Sequence, residues 1–354
     1  MRAVIIGLPQ SGKSTVFVAV TGLMAPPGEM PREHVGVVHV PEPRLQLLAK
    51  LDQPKRVTEA SIEFLDVPGF SLQDARGQEE LRKHLPAIRQ SDLLVAVVRD
   101  FQDDNVPAYR DRVDPQADLT ELWDEFLFAD LEAVTTRVEK LEAALAKPSR
   151  THEQDKRELA LLTRCRRGLE EGEPLSAIIT NPDEARLVSS FAFLTEKPLV
   201  VVYNVSEARA AKPAPSPPPH ALATLNMSAG TEAEIARLDA ADRPAFLADL
   251  GLEAPARDRL IRTCLKALGM ITFLTGGHEE VRAWAVRKGT TALEAAGKVH
   301  SDMARGFIRA ETVAYDDLLE AGDMRAAKAA GKVRQEGKTY VVQDGDILYI
   351  KFNV

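Results

Sequence analysis

Gly7-Leu8-Pro9-Gln10-Ser11-Gly12-Lys13-Ser14 sets two glycines, a lysine and a hydroxyl at the spacing GxxxxGK[ST], directly after an apolar run from Arg2 to Ile6. Residues of these types in this order suit the capture of a polyphosphate. Gly7 and Gly12 let the backbone curl so that successive N–H groups point at a β-phosphate, and a helix expected from about Gly12 to Thr21 adds the positive end of its dipole. Lys13 is placed to bridge β- and γ-phosphates as a point charge, and the Ser14 hydroxyl to ligate Mg2+. Leu8, Pro9, Gln10, Ser11, Gly12, Lys13, Ser14 and Thr15 are therefore the expected phosphate-side residues.

Such a loop needs a scaffold. Apolar, β-branched runs recur at Ala3–Ile6, Val35–Val40, Ile62–Leu65, Leu93–Val98, Leu199–Tyr203 and Ala223–Met227, separated by helical or loop segments. Near-continuous hydrophobic strands alternating with helices predict an α/β fold with a mostly parallel sheet covered on both faces. Nucleotides bind such sheets at the carboxyl ends of the strands, where the motif residues of this chain fall.

Asp66-Val67-Pro68-Gly69 ends the third run. A P-loop NTPase places there an aspartate that holds Mg2+ through water and a glycine whose N–H meets the γ-phosphate, so Lys13, Asp66 and Gly69 are the candidate catalytic residues and Ser14 and Asp66 the candidate metal residues. Phe70 stands where Ras-like GTPases carry the glutamine that orients water. A phenyl ring neither donates nor accepts that hydrogen bond, so hydrolysis is expected to be slow or to borrow a group. Asn204-Val205-Ser206-Glu207 follows the fifth run at the position of the GTPase base-reading motif NKxD. The longer Glu207 and the absent lysine change the donors that fit, so adenine is expected to be tolerated or preferred. Ser228-Ala229, after the sixth run, supplies the small contact behind the base.

Between the fourth and fifth runs, Leu131, Val134, Val138, Leu141 and Leu145 recur at spacings of three and four, and beyond Pro148 a second stretch carries Leu159, Leu162 and Leu169. These predict an antiparallel helical hairpin joined by a polar turn from Lys147 to Asp155. Its second helix carries Lys156, Arg157, Arg164, Arg166 and Arg167, either an RNA-phosphate contact or a solvated face. Lys212 to His220 is a proline-rich loop. From Ile271 the pattern changes to short strands, with Thr339–Val342 among them, and a small helix at Ala292–Val299. This predicts a separate β-grasp domain.

The length of 354 residues suits two or three domains, and an apolar share of 45% is enough for a substantial core. No apolar run reaches the about 18 residues of a membrane span, and the chain enters its first strand without a signal-peptide layout, so a soluble, cytoplasmic protein is expected. Two cysteines, Cys165 and Cys264, encode neither a disulfide framework nor a zinc site. A net charge of −8 argues against a highly basic nucleic-acid coat and leaves a local basic face open. Neither DNA nor a membrane is an expected partner. His84, His278 and His300 lack a metal-ligand pattern and read as surface or packing residues.

Across nearly its whole length the chain resembles the Obg-like ATPases of the YchF group. The likeness rests on Phe101–Val106 (FQDDNV), Val113-Asp114-Pro115, Asn204–Glu207, the junction GLEAPARDRLIRTCLKALGMITF, and the stretch from Ile271 to Val354. The resemblance implies a TRAFAC-type G domain over residues 1–128 and 181–270, a helical insertion over 129–180 and a TGS-like β-grasp domain over 271–354. It also implies ATP preferred over GTP, Mg2+, and association with the ribosome or its large subunit, with RNA contact through the arm and the TGS domain. The chain departs from the family pattern in four places. Gln10 replaces a usual Asn, Glu29–His34 offers no switch threonine, Phe70–Gln78 replaces a glycine-rich second switch, and Ala108 stands where the family carries a histidine proposed to act in hydrolysis. Three readings follow: a slow regulatory ATPase, a nucleotide-stabilised binding module without appreciable turnover, and a GTPase.

Overall fold

A computed structural model describes residues 1–23, 33–146, 151–239 and 241–353. Residues 29–32 of the Glu29–His34 segment, and residues 147–150 of the turn expected from Lys147 to Asp155, lie outside the described residues.

The chain begins β1 (Arg2–Ile6), α1 (Lys13–Thr21), β2 (His34–His39), α2 (Arg44–Asp52), β3 (Arg56–Thr58), β4 (Ser61–Asp66), α3 (Ala75–Arg89) and β5 (Leu93–Asp100). It continues through α4 (Pro115–Leu145), α5 (His152–Glu170), α6 (Leu175–Ile178), α7 (Pro182–Val188), β6 (Leu199–Val205), α8 (Glu207–Ala210), β7 (Ala223–Met227), α9 (Ala229–Arg237), α10 (Arg243–Asp249) and α11 (Ala256–Ala267). It ends with β8 (Met270–Thr275), β9 (Glu280–Arg287), α12 (Ala292–Val299), α13 (Ser301–Arg305), β10 (Phe307–Ala314), α14 (Tyr315–Ala321), α15 (Met324–Ala329), β11 (Arg334–Glu336) and β12 (Asp346–Phe352). Two compact units result, Met1–Gly36 with Glu63–Arg257, and Val37–Ile62 with Asp258–Val354.

The first sheet has the order β2-β4-β1-β5-β6-β7, and β1 pairs parallel with both β4 and β5, as do β5 with β6 and β6 with β7. Its central strands are buried on both faces, from Leu93 to Val98 and from Leu199 to Val205, because helices cover both sides. The carboxyl ends of β1, β4, β6 and β7 thereby deliver Gly7, Asp66, Asn204 and Ser228 to one edge of the sheet.

Asp114 caps α4 by accepting from Ala117 N at 3.0 Å, and Pro115 at the first turn fixes φ, so the helix starts well before the Leu131 periodicity. Its first half buries Leu119, Leu122, Trp123 and Phe126 in the core beside the sheet. Its second half packs Val134, Val138 and Leu141 against Leu161, Leu162, Cys165 and Leu169 of α5. Arg137 grips Glu158 with two hydrogen bonds, at 2.7 and 2.8 Å. On α5, Lys156, Arg164 and Arg167 are ion-paired to Glu153, Glu184 and Glu171, which leaves less free positive charge than the bare sequence suggests.

The second unit has a mixed sheet of order β11-β10-β12-β8-β9-β3, in which β12 runs parallel to β8 and antiparallel to β10. Leu45 and Leu48 of α2 pack with Leu274, Val281, Val313 and Ile347 in this unit's core. A Thr291–Glu294 capping box starts α12. The strand expected at Thr339–Val342 is a turn-like segment instead. Val341 makes one isolated bridge to Thr291, and Tyr340 Oη bonds Asp346 at 2.7 Å. Some basic side chains of this unit are ion-paired to neighbours: Arg305 pairs with Asp302, Lys332 with Asp317, and Arg334 with Glu336. Among the described residues no helix is long and apolar enough to cross a membrane.

Candidate nucleotide-binding site

The loop between β1 and α1 is built on two residues in the left-handed region, Gln10 at φ 60° and Gly12 at φ 87°. Gly12 suits that conformation, and a Cβ there would strike the Asn204 carboxamide nitrogen. Helix α1 opens at Lys13 with no side-chain cap and no acidic residue in its first turn. Its first N–H groups therefore have no side-chain competitor, the condition an anion site at a helix start requires. Ser14 and Thr15 are exposed on that turn, Leu8 is buried in the apolar core, and Ser11 is buried with its hydroxyl lacking any hydrogen-bond partner.

Lys13 and Asp66, from α1 and the end of β4, meet with Nζ 3.6 Å from Oδ1, and the same ammonium donates to Ser14 Oγ at 3.2 Å. Both are nearly enclosed, 9% and 4% exposed. Burial pushes the Lys13 ammonium below its ordinary pKa, and the Asp66 carboxylate opposes part of that shift. Asp66 Oδ1 makes no hydrogen bond in spite of its burial. Gly69 lies beside this pair: a Cβ on it would stand 3.4 Å from Lys13 Cε and 3.6 Å from Pro9 Cα, so the bare glycine keeps the approach to the ammonium open. A cavity of about 280 Å3 opens here, lined by Ser14, Asp66 and His34 among others.

An alcohol and a carboxylate are hard oxygen donors, and Mg2+ takes one or two such protein oxygens and completes its shell with phosphates and water. Asp66 Oδ1, ion-paired to Lys13 and otherwise without a hydrogen bond, and the exposed Ser14 hydroxyl fit that requirement. No cluster of three or more His, Cys, Asp or Glu able to hold a metal exists among the described residues.

On the opposite side Asn204 ends β6 and joins two loops. Its Nδ2 donates to Ser11 O at 3.0 Å, and its Oδ1 accepts from Ala229 N at 3.1 Å. Its carboxamide is thus engaged in positioning the loops. The amide of Ala229 is likewise taken, and Val205 is buried in the core. Glu207 is exposed at the start of α8, with Oε2 3.5 Å from Thr231 Oγ1, which in turn lies 2.9 Å from Ser228 Oγ. Of the residues named for the base, Glu207 offers a charged group to solvent.

Phe70 is 1% exposed, its ring among Leu72, Leu81 and Leu65 in the core, so the side chain at this position points away from any phosphate. Ala108 is half-buried and contributes only a methyl group.

Several residues that organise the site carried little sequence signal. Tyr109 Oη accepts from Leu72 N at 3.1 Å and donates to Glu121 at 3.0 Å, fixing the segment after Gly69 to α4. Arg99 is 3% exposed, and its guanidinium donates to the carbonyls of Phe101, Val106 and Pro107, so that the FQDDNV loop wraps around a buried cation. A lone arginine in an apolar strand gives no hint of this. His84 of α3, read as a surface or packing residue, lies 3.0 Å from Glu33 and ties that helix to the segment entering β2.

Sheet order, loop conformation and the Lys13–Asp66–Ser14 group define a P-loop NTPase. The family model "50S ribosome-binding GTPase" matches residues 2–127, and the model YchF-GTPase_C, described as "Protein of unknown function", matches residues 270–353. The chain is 39% identical to the ribosome-binding ATPase YchF of Bacillus subtilis over the whole of both proteins. It is 35% identical to the protein of the same name from Escherichia coli O157:H7, over 99% of this chain and 98% of that one. Among solved structures, the Schizosaccharomyces pombe YchF GTPase matches with a TM-score of 0.82 at 27% identity, covering 99% of this chain and 97% of that one. The chain belongs to the YchF family.

Proposed function

We propose that this chain binds ATP with Mg2+ and hydrolyses it slowly, its nucleotide state controlling association with the ribosome, chiefly the large subunit, in the cytoplasm. The observation that carries the reading is the convergence of Lys13, Asp66, Ser14 and Gly69, with Asp66 and Ser14 on the edge of one cavity and a buried Asp66 oxygen that makes no hydrogen bond. The full-length likeness to relatives named ribosome-binding ATPase supports the partner and the nucleotide.

In this reading the amides of the loop from Leu8 to Gly12 and of the first turn of α1 bind the phosphates, with Pro9 contributing only its shape. The Lys13 ammonium neutralises phosphate charge, and Asp66 and Ser14 hold the metal, which when bound supplies a Lewis acid to the phosphate oxygens. The Gly69 amide orients the terminal phosphate. Asn204 keeps the phosphate loop and the base loop in register, Ser228 and Ala229 form the wall behind the base, and Glu207 faces its edge. A carboxylate on a longer stem, with no lysine before it, supports adenine over guanine. The burial of Phe70 and the methyl of Ala108 leave no side chain of those two positions to orient water, which supports slow turnover and keeps the nucleotide-stabilised binding module as a second reading. The test is calorimetric titration with ATP, GTP and their diphosphates, followed by phosphate release on the same sample with and without ribosomes. ATP binding with ribosome-stimulated release is the expected result. Binding without release under either condition favours the second reading, and equal potency of GTP favours a GTPase.

A further inference from the structure

Away from the nucleotide site, α3 and α4 leave a groove of about 400 Å3 between them. Its apolar lining comes from Leu81 and Leu85 of α3 and Phe128 and Ala129 of α4. Phe128 is 62% exposed, whereas Phe126, two residues earlier on the same helix, is 1% exposed. The helical period that sends Phe126 into the core turns Phe128 out onto the groove.

The groove is already rigid. Asp130, completely buried, accepts from Arg89 at 2.9 Å, from Leu194 N at 3.1 Å and from Thr195 N at 2.8 Å, and Arg89 also donates to Ala129 O at 3.2 Å. These bonds fix the spacing of the two helices at one end of the groove. An occupant would find a formed surface and cause little reorganisation on docking.

Its charge selects the occupant. Glu125 and Glu132 line the groove with Arg82, and the Arg82–Glu132 pair is loose, 4.0 Å apart with both side chains 68% exposed. Glu125 has no ion-pair partner within 4.0 Å among the described residues. Burial, with Glu121 one turn away, holds its carboxyl above the ordinary range, opposed in part by Arg82 and by a hydrogen bond from Gln78. An incoming cation would meet that carboxylate and relieve the cost, whereas a phosphate backbone would meet two carboxylates. A second copy of a chain with net charge −8 is also a poor match.

We propose that the α3–α4 groove is a docking surface for a basic protein segment, which lays an aromatic or aliphatic side chain against Phe128 and sets a lysine or arginine against Glu125. The proposal stands independently of the nucleotide reading.

Fluorescence anisotropy of a labelled short peptide, with phenylalanine and leucine spaced among lysines, tests it on the full chain. The peptide is expected to bind, and its counterpart with glutamate for lysine is not. Phe128→Ala weakens binding about tenfold, and Glu125→Lys by at least that factor. Arg82→Glu, at an exposed position, tightens it about threefold, a gain that a folding defect cannot mimic. Affinity unchanged in all three variants overturns the proposal. So does displacement of the peptide by single-stranded RNA, or a dimer of the parent chain that Phe128→Ala dissociates in sedimentation velocity.

Discussion

The two flanks of the P-loop are held by different means. On the base flank a single carboxamide, Asn204, hydrogen-bonds both loops, and the groups facing solvent there remain polar. On the switch flank Phe70 and Leu72 are sunk in the apolar core and Tyr109 clamps the backbone between them and α4. Polar tethering shapes a surface and leaves it available to a ligand; aromatic burial removes side chains from chemistry altogether. In the proposed reading grip and turnover are therefore separable, and substitutions on the two flanks break or sharpen that division.

Lys13→Ala has the largest expected effect. It removes the cation and leaves Asp66 buried alone, so ATP affinity by calorimetry should fall about a hundredfold. Retention of full affinity would mean the grip lies elsewhere. Phe70→Gln restores by residue type the water-orienting group of Ras-like enzymes, yet the carboxamide would enter the core. We expect a loss of about 3 kcal/mol in urea unfolding and no rise in phosphate release. A faster enzyme would show that position 70 reaches the cavity and would erase the contrast between the flanks.

Asn204→Ala should cost about 2 kcal/mol, because Ala229 N–H is left buried without its acceptor, and should weaken ATP binding without altering release per bound nucleotide. Cys165, outside both flanks, gives a control on global stability. Burial holds its thiol up at about 11 against an ordinary 9.0. The unfolded chain ionises first, so the contribution of the neutral thiol is complete below pH 9.0 and declines as pH rises toward 11. The stability difference between parent and Cys165→Ala should shrink by about 2.5 kcal/mol over that window. Gln10→Asn is the smallest change: Asn accepts φ near 60° more readily, so a gain of about 0.5 kcal/mol in thermal unfolding is expected.

The central strands of the first sheet, β1, β5 and β6, were legible because burial on both faces writes itself as runs of Val, Ile, Leu and Ala. The phosphate loop was legible because its spacing is dictated by geometry. Other features depend on contacts distant in sequence. Arg56–Thr58 forms an edge strand through pairing with Glu280–Arg282, which three residues with no apolar alternation cannot announce. Thr339–Val342 has strand-like residues, and the Tyr340 bond to Asp346 draws it into a turn instead. The early start of α4 was written in Asp114-Pro115, a cap and a first-turn proline, and was overshadowed by the stronger leucine period further along. At the site, residue type alone gave Phe70 as a lost function. Only the burial of Phe70 and Leu72 shows that these two positions serve packing.

Asn204 has a mechanical corollary. Because one planar group bridges the loop proposed to meet phosphate and the loop proposed to meet the base, neither can shift without straining the other. Anything that seats itself at the triphosphate end stiffens the purine end before a purine arrives. Tripolyphosphate and adenosine should accordingly favour each other's binding in the parent chain, and once the bridging side chain is cut back to a methyl they should become strangers.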